Sequence, residues 1–273
     1  MASDNPKNET MFSTVIRSFG TRAIRAMQRV EKPQNKDALM RQLSQALASD
    51  PWIRTSRAAI TISCMDGTIR LEGVVLDLAA KRRAVALAGA FVSPPQKVVD
   101  ALRRRAIAEE ADEEIAETVA SRLLADSVFS EHTIVVLSTG VYKILHDAGE
   151  MANTVRVQAR DGEIALTGRV GSLTHRRFAE VLAWSVAGCE AVTNLLAVVP
   201  AQEDTDDELN DAVRMSLEND ALVDATSLSL GTAHGEVIVQ GTLTSGAERQ
   251  LALNDIWAVP GVCNVNDRTS TLT

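Results

Sequence analysis

The stretch Val155-Arg-Val-Gln-Ala-Arg-Asp-Gly-Glu-Ile-Ala-Leu-Thr-Gly168 decides the fold, because its pattern occurs three times in the chain. The other two copies span residues 60–73 and 228–241 with the same internal spacing. Apolar residues alternate on both sides of a central x-Gly pair, which is Asp161-Gly162 in this copy. Alternation with a period of two is typical of strands, and Asp-Gly is typical of hairpin turns. The pattern therefore predicts three similar hairpins in a repeat architecture.

Helices are predicted on both sides of each hairpin. An apolar stripe at positions i, i+4 and i+8 precedes it and indicates one face of an amphipathic helix. An aspartate shortly before each stripe is expected to cap that helix. A second helix follows the hairpin, with an alanine eleven residues after the last glycine, and a third strand comes next. The stripes are Leu39, Leu43 and Leu47, then Ile115, Val119 and Leu123, then Leu209, Val213 and Leu217; the aspartates are Asp37, Asp112 and Asp206, and the alanines are Ala84, Ala179 and Ala252.

The expected fold class is α+β, with three tandem αββαβ units that each form a small three-stranded mixed sheet covered by two helices. A crossover as long as a helix favours a parallel third strand. A unit of about 70 residues buries little apolar area alone, so neighbouring units are expected to pack on one another. The expected boundaries are 1–34 for a basic amphipathic helix and linker, 35–105 for repeat 1, 110–202 for repeat 2 with an insertion at 127–153, and 203–273 for repeat 3.

This arrangement resembles the BON (bacterial OsmY and nodulation) domain family in three tandem copies. The resemblance rests on the hairpin pattern, the alanine-containing helix, and the closing stretches Gly188-Cys-Glu-Ala-Val-Thr-Asn-Leu195 and Pro260-Gly-Val-Cys-Asn-Val265. It implies a non-catalytic binding module, usually in the bacterial envelope and often associated with phospholipid. Family members also occur in secretins, in mechanosensitive channels and in a cytosolic potassium-binding protein. The potassium-binding member makes small-cation sensing a weak alternative function for this chain.

Composition narrows the class of partner and the compartment. The chain is 45% hydrophobic and 23% charged, which is ordinary for a globular protein. Only 3% of its residues are aromatic, which argues against a stacking surface for nucleic acid. No stretch approaches the ~20 apolar residues of a membrane span, and arginines interrupt residues 11–30 where a signal peptide would be apolar. We expect a cytoplasmic protein, peripheral at the inner membrane, and regard a periplasmic location as less favoured.

Charge is distributed unevenly along the chain. Residues 1–105 hold 18 Lys and Arg against 9 Asp and Glu, a net charge of +9. The remaining residues hold 10 against 27, a net charge of −17. Such a polarised chain can present its basic end to an anionic surface or stack head to tail on another copy. The alternative is that each charge is solvated and the asymmetry has no function.

The N-terminal segment is the first candidate site. Apolar residues follow helical spacing between residues 11 and 30, arginines lie among them, and no acidic residue occurs there. This pattern favours an interfacial helix on anionic lipid. Docking on the protein's own repeats or on a partner is the alternative, and a transit peptide is a third reading. The candidate residues are Phe12, Ile16, Arg17, Phe19, Arg22, Ile24, Arg25, Met27 and Arg29.

Cations at the start of the second helix form the second candidate site, with Lys81, Arg82 and Arg83 in repeat 1 and Arg176 and Arg177 in repeat 2. Free helix N–H groups together with basic side chains could hold a phosphate group. The alternative is that these long side chains extend into water, where their charge is screened.

An insertion in repeat 2 is the third candidate. The distance from the helix stripe to the first strand is 32 residues in repeat 2, against 13 in repeat 1 and 11 in repeat 3. Its two apolar runs predict either an added hairpin or a helix through residues 133–147. Either element could form a partner or self-association surface, or could cover the core of repeat 2. The candidate surface residues are Ile134, Val136, Val141, Tyr142 and Ile144.

No catalytic residue, cofactor site or metal site is predicted, because no histidine has ligands at zinc-site spacing and no nucleophile motif occurs. The function favoured is a non-enzymatic protein that binds anionic phospholipid through residues 11–30 and repeat 1. The alternative is a structural or adaptor protein that forms a homo-oligomer or tethers a larger assembly. The expected partner is thus anionic phospholipid or a protein, and not nucleic acid.

Overall fold

Three α-β-β-α-β units follow one another in the computed structural model, as predicted. The structure describes residues 36–56, 58–92, 97–138, 140–149 and 152–272. Repeat 1 also has a one-turn helix before its first strand, which begins at a proline and is capped by Asp50. The elements of repeat 1 are α1 Lys36–Ser49, α2 Pro51–Thr55, β1 Ala59–Met65, β2 Thr68–Val75, α3 Leu78–Phe91 and β3 Val98–Arg104.

Repeat 2 differs from the expected three-stranded sheet, because its sheet has five strands in the order β5-β4-β6-β7-β8. The insertion forms a hairpin rather than a helix. Its first strand, β4, pairs in parallel with β6, and β5 lies outside β4. The elements of repeat 2 are α4 Asp112–Ala125, a 3-10 turn Ser127–Phe129, β4 His132–Ser138, β5 Val141–His146, β6 Asn153–Arg160, β7 Glu163–Val170, α5 Leu173–Trp184 and β8 Ala191–Val198.

Repeat 3 returns to three strands, and in every repeat the hairpin is antiparallel while the crossover strand is parallel. A short 3-10 turn, Ala225–Ser227, precedes its hairpin. The elements of repeat 3 are α6 Asp206–Asn219, β9 Leu228–Ala233, β10 Glu236–Leu243, α7 Gly246–Ala258 and β11 Asn264–Thr271.

Two backbone features explain the glycines of the repeated pattern. Both residues of each hairpin turn have positive φ, for example 51° at Asp161 and 72° at Gly162, which is the type I′ conformation that Asp-Gly favours. The last glycine of each copy lies against the carbonyl of the paired strand. A Cβ on Gly168, whose φ is 124°, would stand 2.0 Å from the Thr154 oxygen. Any side chain there would force the two strands apart.

The predicted helix-capping aspartates have a different role. Asp112 and Asp206 are the first residues of their helices, and their carboxylates reach across to the hairpin turn of the same repeat. Asp112 accepts hydrogen bonds from Asp161 N (2.8 Å) and Gly162 N (3.0 Å). Asp206 accepts from His234 N (2.9 Å) and Gly235 N (3.3 Å). The prediction that these two aspartates cap their helices is therefore wrong. Both oxygens of each carboxylate instead accept hydrogen bonds from the N–H groups of the hairpin turn.

The repeats pack on one another through their helices. Repeats 2 and 3 share one apolar core, and repeat 1 has its own, built on Leu43, Ile69 and Leu71. Repeat 1 also contacts repeat 3 through an edge-to-face pair, Trp52 and Trp257, whose ring centroids are 5.4 Å apart. Each repeat therefore supplies apolar surface that covers another, as a small unit requires.

Candidate functional site

The cations at the start of α3 lie between repeats rather than in water. Lys81 is buried, pairs with the Asp100 carboxylate at 2.7 Å and donates to the Leu102 carbonyl at 2.5 Å. Burial lowers the pKa of Lys81, and Asp100 opposes that shift. Arg82 pairs with Glu180 of repeat 2 at 2.7 Å. The alternative, that these side chains extend into water, is thus wrong for Lys81.

Arg83 joins repeat 1 to repeat 3. It pairs with Asp50 of its own repeat at 2.8 Å and donates to the Cys263 carbonyl oxygen of repeat 3 at 3.2 Å. Arg82 also donates to a carbonyl of repeat 3, that of Ala258, at 3.4 Å. Two neighbouring arginines of α3 therefore contact both of the other repeats, and each already pairs with a carboxylate and a carbonyl of the protein.

In repeat 2 the corresponding cations face a cavity of about 210 Å³ at the junction with repeat 3. Arg177 is buried, donates to the Pro260 carbonyl at 3.0 Å and pairs with Asp204 at 2.5 Å. Arg176 is half-buried and donates to the Asn194 carbonyl at 3.2 Å. The cavity also carries the carboxylates of Asp204 and Glu180. Anion binding by Arg176 and Arg177 stays a prediction, and those two carboxylates work against it.

A repeated contact explains why a cation stands at this helix position in all three copies. Lys81 and Arg249 pair with an aspartate of the third strand, Asp100 and Asp267 respectively, while Arg176 contacts Asn194 at the same place. Each of these third-strand side chains also accepts from the backbone N–H two residues later. The cation therefore fixes the second helix to the third strand, which offsets its unfavourable position in the helix dipole.

Arg104 is an inter-repeat contact that the sequence reasoning missed. It ends β3 of repeat 1 and donates to three carbonyls at the C-terminal end of α5 in repeat 2: Trp184 at 2.8 Å, Val186 at 3.0 Å, and Cys189 at 2.8 and 3.2 Å. Its guanidinium also lies 5.4 Å from the Trp184 ring centroid. The available signal was strand alternation, which places Arg104 on the same face as the core residue Leu102.

The hairpin of the insertion has one buried and one exposed strand. Ile134 and Val136 of β4 are fully buried in the core of repeat 2, so their inclusion in a partner surface is wrong. Val141, Tyr142 and Ile144 of β5 are 65%, 62% and 60% exposed. Lys143 between them pairs with Glu117 of α4 at 2.7 Å. The insertion thus covers the core of repeat 2 through β4, while a partner surface on the exposed residues of β5 stays a prediction.

The predicted lipid-binding helix, with Phe12, Ile16, Arg17, Phe19, Arg22, Ile24, Arg25, Met27 and Arg29, lies outside the described residues. The described part of repeat 1 adds cations of its own. The exposed residues Lys36, Arg41 and Arg54 lie on α1 and α2. These residues, unlike those at the start of α3, are exposed basic groups that follow the N-terminal segment in the chain.

Reactive chemistry is sparse across the described part of the chain. It contains no group of three or more His, Cys, Asp or Glu side chains that could hold a metal ion. Burial raises the pKa of the Cys189 thiol to about 12, so no thiolate forms there at neutral pH. His132 and His175 lie beside Phe129, and burial lowers the pKa of both imidazoles. No helix within the described ranges is long and apolar enough to cross a membrane.

Comparison with known proteins agrees with the repeated architecture. The family model described as BON domain matches residues 35–106, 136–200 and 205–272, which is more than half of the chain. No curated protein matches. Two solved structures of CdsD, a structural protein of the type III secretion system of Chlamydia trachomatis, are similar at 13% and 12% identity. They cover 88% and 86% of this chain and 100% and 92% of their own, each with a TM-score of 0.23, which is too low to support a functional argument.

Proposed function

The chain belongs to the BON domain family, and we propose that it binds an anionic phospholipid surface without catalysing a reaction. BON domains are associated with phospholipid binding and are generally non-enzymatic. The observation that carries the proposal is the run of residues 11–30, in which four arginines border an apolar face and no acidic residue occurs. A helix of this kind lies in the membrane interface, where each basic residue adds about 1 kcal/mol near anionic lipid.

Repeat 1 extends this basic surface. Lys36 and Arg41 are exposed on α1, directly after the N-terminal segment, and Arg54 is exposed on α2. The remainder of the chain is acidic, with a net charge of −17 beyond residue 105. An anionic membrane would attract the first end and repel the second, so the protein would bind with repeat 1 towards the lipid.

Liposome flotation tests the proposal. We expect the full chain to float with vesicles of anionic phospholipid, to stay at the bottom with neutral vesicles, and to lose binding when residues 1–32 are deleted. Lys36→Ala combined with Arg41→Ala should weaken binding by about thirtyfold, since two surface charges near the membrane, each adding about 1 kcal/mol, are removed. Arg160→Ala is the matched control, because Arg160 is exposed on repeat 2. Equal flotation of the deletion variant and the full chain would contradict the proposal.

A second function, that of a structural or adaptor protein, is favoured by the β5 edge, which is defined by Val141, Tyr142 and Ile144. Large exposed apolar residues on an edge strand are a natural surface for another protein. Ile134 and Val136 of the same hairpin are buried, so the core of repeat 2 is already covered and the exposed side chains of β5 are left free for a partner.

A further inference from the structure

Repeats 1 and 2 differ at one position of their sheets. In repeat 2, β4 pairs in parallel with β6, from His132 opposite Asn153 to Val136 opposite Val157. Ile134 and Val136 of β4 lie opposite Val155 and Val157 of β6, and all four side chains are fully buried. An added strand therefore completes the core of this repeat.

The same position is open in repeat 1. By the repeated pattern, Ile60 and Ile62 of β1 correspond to Val155 and Val157 of β6, yet they are only half-buried. Within the described residues β1 is the edge of its sheet. An open groove of about 260 Å³ lies beside it, which we call the β1 groove and which is lined by Ser44, Leu47, Ala48, Ile53, Ala58, Ile60 and Ile62. Repeat 1 thus has an apolar groove and a free strand edge where repeat 2 has β4.

A strand of suitable composition is exposed elsewhere on the chain. The β5 edge lies on an outer strand of the described five-stranded sheet, and its three apolar side chains are more than half exposed. Backbone N–H and C=O groups on such an edge are free to pair with another strand. One molecule therefore carries both an open acceptor edge and an apolar donor strand.

We infer that two copies of this chain associate head to tail by adding β5 of one copy to β1 of the next. The pairing of β4 with β6 is an internal precedent for a strand at this position. Charge supports the same pairing, because β1 lies in the part of the chain with a net charge of +9 and β5 in the part with −17. This inference rests on the second of the two functions, and it names a second copy as the partner of the β5 edge.

The geometry of the joined sheet assigns roles to individual side chains. In the β4–β5 pairing, Val141 is opposite Ser138 and Lys143 is opposite Val136, so both side chains share the face of Val136. If the helices of both repeats lie on the same side of the joined sheet, Val141 covers the β1 groove, while Lys143 on the same face pairs with Glu117 of α4. A register in which Ile144 is opposite Thr61 places both side chains on the other face of the joined sheet. Main-chain hydrogen bonds would supply affinity, and Val141 would supply specificity. Because the two surfaces differ, a row of joined copies always keeps an unpaired β1 at one end and an unpaired β5 at the other. Species larger than a dimer therefore form at high concentration.

Light scattering of the full chain across a concentration series is the first test. We expect the mean mass to rise with protein concentration, and to rise less at high salt because the attraction between the charged ends is screened. Val141→Asp should weaken association at least tenfold. Leu195→Asp is the matched control, because Leu195 is 64% exposed on β8 at the far edge of the same sheet, and it should associate like the unmodified protein.

Disulfide trapping is the second test. A Thr61→Cys chain mixed with an Ile144→Cys chain should form a disulfide between chains at these two positions, identified by peptide mapping because the chain has three cysteines of its own. A Leu195→Cys chain mixed with Thr61→Cys should not. This experiment does not depend on whether Val141→Asp folds.

Three results would overturn the inference. One is a protein that stays monomeric at all concentrations. Another is trapping by Leu195→Cys as efficient as that by Ile144→Cys. The third is a disulfide within one chain between Thr61→Cys and Phe19→Cys, which would show that residues 11–30 lie along the edge of β1 that the second copy is inferred to occupy. Flotation with anionic vesicles is measured separately, so loss of self-association with flotation intact refutes this interface and leaves lipid binding standing.

Discussion

Arg104 of repeat 1 donates two hydrogen bonds, of 2.8 and 3.2 Å, to the carbonyl oxygen of Cys189 in repeat 2. The same guanidinium reaches the carbonyls of Trp184 and Val186. These carbonyls lie at and after the C-terminal end of α5, where the helix leaves acceptors unpaired and its dipole favours a cation. Arg104 therefore joins the two repeats through helix-end chemistry rather than through an ion pair.

Replacing Arg104 should destabilise the folded protein. We expect Arg104→Met to lower the free energy of unfolding by about 3 kcal/mol, because several buried carbonyls lose a charged donor. Chemical denaturation measures the change, with the exposed neighbour Arg105 as control in Arg105→Met, for which we expect a change within about 0.5 kcal/mol. Equal stability of the two variants would show that water replaces the guanidinium without loss.

The glycine that ends the hairpin pattern should tolerate no side chain. Gly168→Ala places a Cβ 2.0 Å from the Thr154 oxygen at a φ of 124°. We expect destabilisation of more than about 3 kcal/mol from strain and separation of the strands. Gly89→Ala is the matched control, since a Cβ there meets nothing within 4 Å. A thermal melt in which both variants unfold alike would refute this explanation of the motif.

The contact between the first helix and the hairpin turn can be removed alone. Asp112→Ala leaves the N–H groups of Asp161 and Gly162 without their acceptor, and we expect a loss of about 1–2 kcal/mol. Asp112→Asn keeps one acceptor oxygen and should lose less. Hydrogen exchange at Asp161 and Gly162 provides a local readout. Unchanged protection in Asp112→Ala would mean that the carboxylate does not hold the turn.

Stability should also depend on pH through Asp255. Burial, and then the neighbouring Asp220 carboxylate, raise the pKa of Asp255 from 3.8 to about 7. A carboxyl whose pKa is higher in the folded state binds its proton more tightly there. Its contribution is therefore most favourable below pH 4 and is lost as pH rises towards 7. We expect Asp255→Asn to match the unmodified protein at pH 4 and to melt several degrees higher at pH 8.

Asp220→Asn is the companion experiment for this pair. Without the Asp220 charge, the pKa of Asp255 in the folded state should fall. The loss of stability with rising pH should then end at a lower pH than in the unmodified protein. A melting temperature of Asp255→Asn that runs parallel to that of the unmodified protein from pH 4 to pH 8 would contradict the assignment.

Local features of the fold were predictable because they depend on residues close together in the chain. The hairpins follow from alternation around x-Gly, and the positive φ values at Asp161 and Gly162 are those that this dipeptide favours. The insertion was ambiguous. Ile134 and Val141 look alike in sequence, and only the strand order, with β4 inside and β5 outside, makes the first buried and the second exposed.

The candidate site was the part least accessible to sequence reasoning. Lys81, Arg82, Arg83 and Arg177 were recognised as unusual, but their partners could not be inferred. Arg83 meets a carbonyl 180 residues away and Arg104 one 85 residues away. Such contacts depend on how whole repeats pack, and no periodicity within a repeat encodes that arrangement.

The sequence by itself determined the three α-β-β-α-β units, because strand alternation, turn glycines and apolar stripes act over a few residues. Tertiary structure alone decided which cations join the repeats and which face water. Burying a charge is favourable only where another segment supplies acceptors, so that choice depends on the neighbouring repeat and not on the residue itself. The edge positions of β1 and β5 were decided in the same way, by which of the described strands lie beside them.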